Sequence, residues 1–122
     1  MMIQNSVLDD LLEIKIGRNQ SLLHELVDMF FEQTPERFAL LRSAIKNNDR
    51  DTISRTAHAL KASCSYLGLQ KMVFLCEELE KWSLNSNQTE SDEAFIFLAV
   101  LEESFDESGD ELKKYLVTYN HH

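Results

Sequence analysis

The chain has 122 residues and a formal net charge of -9, from 12 basic and 21 acidic side chains. That length suits one domain around one buried core, and the charge repels nucleic-acid phosphates and anionic lipid surfaces, so neither is expected as a partner. With 43% hydrophobic residues but only three Gly and one Pro, the composition favours long helices over turn-rich sheet, and the expected class is all-α.

The start of the chain, Met1 to Asn5, has no basic stretch leading into an apolar run, and the longest apolar run, Ala94 to Leu101, is too short to span a bilayer. A cytoplasmic setting is expected. From about Val7 to Ile16, Leu8, Leu11, Leu12 and Ile16 recur at helical spacing until Gly17, predicting a short leading helix. Asn19 is the expected cap of the next helix, whose stripe is Leu22, Leu23, Leu26, Val27, Phe30 and Phe31. Thr34-Pro35 predicts a break or bend, with Phe38, Leu41, Ala44 and Ile45 continuing the period to the turn at Asn47-Asn48-Asp49.

Asp49 is a strong N-cap, followed by a stripe of Ile53, Ala57, Leu60, Cys64 and Leu67. Those gaps of four, three, four and three are the seam of a helix packed in a near-parallel bundle. Gly68 stands where a left-handed residue ends such a helix. Leu69, Met72, Cys76 and Leu79 repeat the seam on the returning helix, widened by Leu75 and Trp82. Both cysteines fall on these stripes; they are too few for a disulfide framework and lack the spacing and company of a zinc site.

Ser83 to Ser91 reads as a surface loop, and residues 90–120 as a last helix with a possible break at Ser108-Gly109-Asp110. Short connections force antiparallel neighbours. The expected architecture is an up-and-down antiparallel four-helix bundle with an additional short N-terminal helix.

On the helix after Asp49, the seam leaves His58, Lys61, Ala62 and Ser65 as a patch facing water. An exposed imidazole, with an ordinary pKa of about 6.5, offers an unprotonated nitrogen as a nucleophile. Lys61, one turn on, offsets the charge that a phosphoryl group brings, and Ala62 adds little bulk beside the ring. His58 lies ten residues before Gly68 and Glu80 twelve after it, roughly 15 and 18 Å from the reversal, so Glu80 returns level with the imidazole and can orient it.

The stretch from Ala57 to Gly68, with His58-Ala59-Leu60-Lys61-Ala62-Ser63 and then Leu67-Gly68, closely resembles the signature of histidine-containing phosphotransfer domains. Cys76-Glu77-Glu78-Leu79-Glu80 is similar to the helix that follows in that family, and Phe30 to Leu41 to its lead-in, so about half of the chain, Leu22 to Trp82, is covered. The resemblance implies one domain over residues 1–122: a leading helix at 1–18, motif-bearing helices at 19–82 and the last bundle helix at 90–120. It implies a phosphorelay intermediate in which His58 accepts the phosphoryl group on the ring nitrogen distal to the backbone. Lys61 then steadies that group and Glu80 orients the ring.

The implied partners are response-regulator receiver domains and a hybrid sensor histidine kinase, with the Mg²⁺ supplied by the receiver. No nucleotide site or cofactor of its own is implied, so the chain is a carrier, expected as a monomer. Leu22, Leu26, Arg55 and Ala59 are the candidates for the docking surface. Ala62, Ser63, Ser65 and Gly68 complete it. Ala62 departs from the glycine usual in the family.

Three other readings compete with this one. A di-metal bundle needs Glu-x-x-His pairs, yet Ser21 and Arg55 stand three residues before His24 and His58. A histidine-dependent hydrolase lacks any nucleophile motif or glycine-rich loop. A helical adaptor that binds receiver or kinase domains without transfer is opposed only by the presence of His58 and Lys61. The initiating methionine and complete set of helices favour a free-standing protein over a piece of a larger kinase.

Overall fold

Five helices follow from local capping and packing rules in the computed structural model, which describes residues 5–15, 21–85 and 91–119. They are α1 Asn5–Glu13, α2 Leu22–Lys46, α3 Arg50–Tyr66, α4 Gln70–Leu84 and α5 Asp92–Tyr119. No helix among the described residues is long and apolar enough to cross a membrane.

The predicted cap Asn19 and the predicted breaker Gly17 lie outside the described residues, as does Ile16. Ser21 caps α2 instead, its Oγ accepting the His24 N–H at 3.3 Å. The Leu22 N–H donates to the Ile14 carbonyl at 2.7 Å, fixing α1 against the start of α2.

The expected break at Thr34-Pro35 does not occur: α2 runs unbroken through Pro35, and Thr34 is fully buried mid-helix. Proline removes one helical hydrogen bond and costs about 3 kcal/mol in a helix interior. Packing on both sides of it opposes that cost. Phe30, Phe31 and Phe38 all meet the Phe105 ring of α5, at centroid separations of 5.2, 6.1 and 5.6 Å, so both halves of α2 are held against one helix.

The reversals are two Schellman turns. After α2, Asn48 takes φ 52°, with its N–H donating to the Ile45 carbonyl and the Asp49 N–H to Ala44. Gly68 does the same after α3 at φ 69°, its N–H donating to Ser65 and the Leu69 N–H to Cys64. Asp49 then caps α3 twice over, accepting from the Thr52 N–H at 3.2 Å and from its hydroxyl at 2.7 Å. These bonds hold the Asp49 carboxyl below the usual carboxylate range. Gly68→Ala is expected to cost about 1–2 kcal/mol, because a Cβ is strained in the left-handed region; the shift of the urea midpoint measures it.

Helix α4 continues to Leu84, two residues into the expected loop. Ser83 is buried, donating to the Glu80 carbonyl at 2.6 Å, and Arg50 stacks over Trp82 while bonding the Trp82 and Asn85 carbonyls. Residues 86–90 lie outside the described residues. Helix α5 also runs through Ser108-Gly109-Asp110 without a break. Gly109 is buried against Phe31, where a Cβ would come within 2.9 Å of the ring. The glycine admits the aromatic contact, and that contact keeps the helix intact.

The four long helices form a closed ring of neighbours in the order α2, α3, α4, α5, with the α3–α4 hairpin the most extensive pair. Ile53, Ala57, Leu60, Cys64 and Leu67 face Leu69, Met72, Cys76 and Leu79 across it, all fully buried or nearly so. The two cysteines are free and buried; the Cys64 contact and burial push the Cys76 thiol far up, so both serve as packing. α1 covers α2 with Leu8 fully buried, and Tyr115 of α5 donates to the Asp9 carboxylate.

Candidate functional site

A helix that buries one stripe must show the opposite one. Core burial of Ala57, Leu60 and Cys64 therefore turns His58 outward on α3, leaving its side chain 68% exposed. Ala62 and Ser65 share that outer face and are exposed, while Lys61, Ala59 and Ser63 lie half-buried on its flanks.

On the α4 side of this face, the Schellman turn at Gly68 sends the chain back antiparallel and brings Glu80 to the level of His58. Its carboxylate, only 18% exposed, sits between two partners: Oε2 lies 3.5 Å from His58 Nδ1, and Oε1 lies 3.0 Å from Lys61 Nζ. Glu80 thus faces the ring nitrogen nearer the backbone, leaving Nε2 as the nitrogen turned from that carboxylate. The Glu80 carboxylate beside it also holds the Lys61 ammonium above the ordinary lysine value, so Lys61 is charged at neutral pH.

On the α2 side, Arg37 Nη1 donates to Ser63 Oγ at 2.9 Å, and Ser63 in turn contacts the Ala59 carbonyl at 3.4 Å. Arg55, further along the exposed face, pairs with Asp51 at 2.9 Å.

Of the docking candidates, Arg55, Ala59, Ala62, Ser63 and Ser65 lie on or beside the His58 face. Gly68 does not: it is buried, and its conformation is spent on the turn, so its part is to place α4. Leu22 and Leu26 are half-buried on α2, with Leu26 packed against the core. Met29, not among the candidates read from the sequence, is exposed and continues the Leu22–Leu26 stripe at a gap of three. That spacing was the signal available. The sharing of Glu80 between His58 and Lys61 had no such signal, because it depends on the crossing of two helices.

Among the described residues, no group of His, Cys, Asp and Glu side chains is arranged to hold a metal ion.

Comparison with known proteins yields one family and several relatives. The profile of the Hpt domain matches residues 25–114. The chain is 33% identical over 81 residues to "Multistep phosphorelay regulator 1" of Schizosaccharomyces pombe, covering 66% of this chain and 28% of that protein. Its fold is similar to the crystal structure of histidine-containing phosphotransfer protein B from Pseudomonas aeruginosa PAO1, with a TM-score of 0.78, 24% identity and 93% of each chain covered. It is also similar to the HPT domain of a sensor hybrid histidine kinase from Shewanella, with a TM-score of 0.64, 24% identity, and 80% of this chain and 81% of that one covered.

Proposed function

The chain belongs to the Hpt domain family, and from that premise we propose that it is a phosphorelay intermediate carrying a phosphoryl group on Nε2 of His58 between receiver-domain aspartates. The observation that carries this reading is the pairing of an exposed imidazole with a half-sequestered carboxylate on its other nitrogen, His58 Nδ1 to Glu80 at 3.5 Å.

The bonds made and broken lie between His58 and the receiver's aspartyl phosphate. With its proton on Nδ1, the neutral ring presents a lone pair on Nε2, which attacks phosphorus as the bond to the receiver's aspartate oxygen breaks; the carboxylate leaves with that electron pair. The ring, still protonated on Nδ1, gains positive charge, which the Glu80 carboxylate offsets. The reverse sequence delivers the group to a second receiver. Lys61 lies one turn from His58 and supplies the counter-charge for the phosphoryl oxygens. The receiver brings the Mg²⁺, and this chain brings a nucleophile, its orientation and a cation.

Docking uses the outer face of α3 around His58 with the half-buried Leu22 and Leu26 and the exposed Met29 of α2. A hybrid sensor histidine kinase and separate response regulators are the partner classes that fit, met by a single copy of this chain in the cytoplasm. The reading is tested by incubation with a phosphorylated receiver. Acid-labile, base-stable phosphate should appear on this chain; its absence with every receiver would instead favour an adaptor that binds without transfer.

Ala62→Gly is a finer test. The alanine methyl lies in the turn beside the imidazole, where the family has glycine. Removing it gives the approaching receiver more room while costing helix stability of up to about 1 kcal/mol. Single-turnover transfer from the cognate receiver should be equal or faster. A large drop in rate would contradict the steric role.

A further inference from the structure

On the α2 side of α3, α2 and α3 leave an open groove of about 320 Å³ lined by Arg37, Leu40, Thr52, Arg55, Thr56 and Ala59. We propose that this groove is a second contact area for the receiver domain, in which Arg37 takes a carboxylate of the receiver surface and thereby selects among receivers. This rests on the reading of His58 as the phosphoryl carrier.

Three observations support it. First, the groove is walled by the helix that carries the site: Thr52, Arg55, Thr56 and Ala59 of α3 line it, Ala59 being the chain neighbour of His58. Second, the groove combines cation and apolar wall in a chain whose net charge is -9. Leu40 is 54% exposed there, although the other large apolar residues of its half of α2, Phe38, Leu41 and Ile45, are buried.

Third, the Arg37 charge is available and aimed. Among the described residues Arg42 pairs with Glu102 and Arg55 with Asp51, but Arg37 pairs with no carboxylate. Its bond from Nη1 goes to the neutral Ser63 hydroxyl, which fixes the guanidinium relative to the helix carrying His58. A guanidinium has five N–H donors, so further donors remain for a carboxylate. An acidic partner surface approaching this strongly negative protein is otherwise repelled. An arginine fixed to the helix that carries the histidine offsets that repulsion on the α2 side of this helix and rewards receivers that place a carboxylate opposite it.

The test uses receiver domains from the same genome, each phosphorylated with acetyl phosphate, and measures transfer to the full chain as a function of receiver concentration and salt. For the receivers that wild type accepts, Arg37→Glu should raise KM on the order of tenfold or more with kcat nearly unchanged. Arg37→Gln should raise it less and flatten its salt dependence, while Arg37→Lys should recover most of the loss. Thermal melts verify the fold of each variant; Arg37→Gln retains a donor for Ser63, so it reports even if Arg37→Glu is unstable. Unchanged KM and salt dependence in Arg37→Gln, with wild type transferring normally, would overturn the groove and leave His58 standing. Failure of wild type to accept phosphate from any receiver would overturn both, at the level of His58.

Discussion

His58→Gln is expected to reduce phosphate on this chain to background when it is mixed with a phosphorylated receiver, under conditions in which the wild-type chain is labelled within minutes. Glutamine keeps polarity and comparable length, but its amide nitrogen has no available lone pair, so no bond to phosphorus forms. The loss belongs to chemistry and not to folding. The side chain is 68% exposed, and its one close partner is Glu80; exposed substitutions of this kind usually change stability by no more than about 0.5 kcal/mol. An unaltered melting curve with absent label is therefore the expected pair of results. Label on the variant at the wild-type level would remove His58 from its role and send the search to another nucleophile.

Leu60→Ala is expected to do the opposite: destabilise the fold severely while sparing the chemistry of the molecules that remain folded. Leu60 is completely buried on the α3 seam, facing α4 in the most extensive helix pair of the bundle. Removing such a side chain loses its transfer free energy and leaves a cavity, together about 2–5 kcal/mol. Against a total of about 5–15 kcal/mol for a small domain, that is a large fraction. Urea unfolding should show a lower midpoint at unchanged slope. A shift of only a few tenths of a kcal/mol would mean that the α3–α4 interface is looser than its burial implies.

The two variants separate what α3 does with its two faces. One face carries the free energy of the bundle and the other carries the reaction, and the period of the helix puts them on adjacent residues such as Ala57 and His58. Glu80 stands between these roles on α4, one position from the buried Leu79.

Much of this was legible in the chain itself. The stripe Ile53, Ala57, Leu60, Cys64 and Leu67 predicts a buried seam, and every member is buried. Asp49 and Gly68 predict the limits of α3, and they supply its side-chain cap and its left-handed turn. The distances of His58 and Glu80 from that turn predict that they meet, and they do. The readings that failed share a cause. At Pro35 and Gly109, local propensity argues for a break, while Phe31 and Phe105 clamp the two segments together from distant parts of the chain. Helix propensity sums over neighbours in sequence, and packing sums over neighbours in space.

The sequence by itself therefore determined the all-α class, the seam that turns His58 to solvent, the reversal at Gly68 and the family to which the chain belongs. Only the tertiary structure decided that α2 and α5 are unbroken, that one Glu80 carboxylate serves both His58 and Lys61, and that Arg37 is held to α3 by Ser63 and pairs with no carboxylate among the described residues. The physical reason is range. A period or a cap is written within one or two turns of chain, but a carboxylate shared across two helices, or an arginine fixed by a serine on another, depends on the distance and crossing of elements, which the whole core sets.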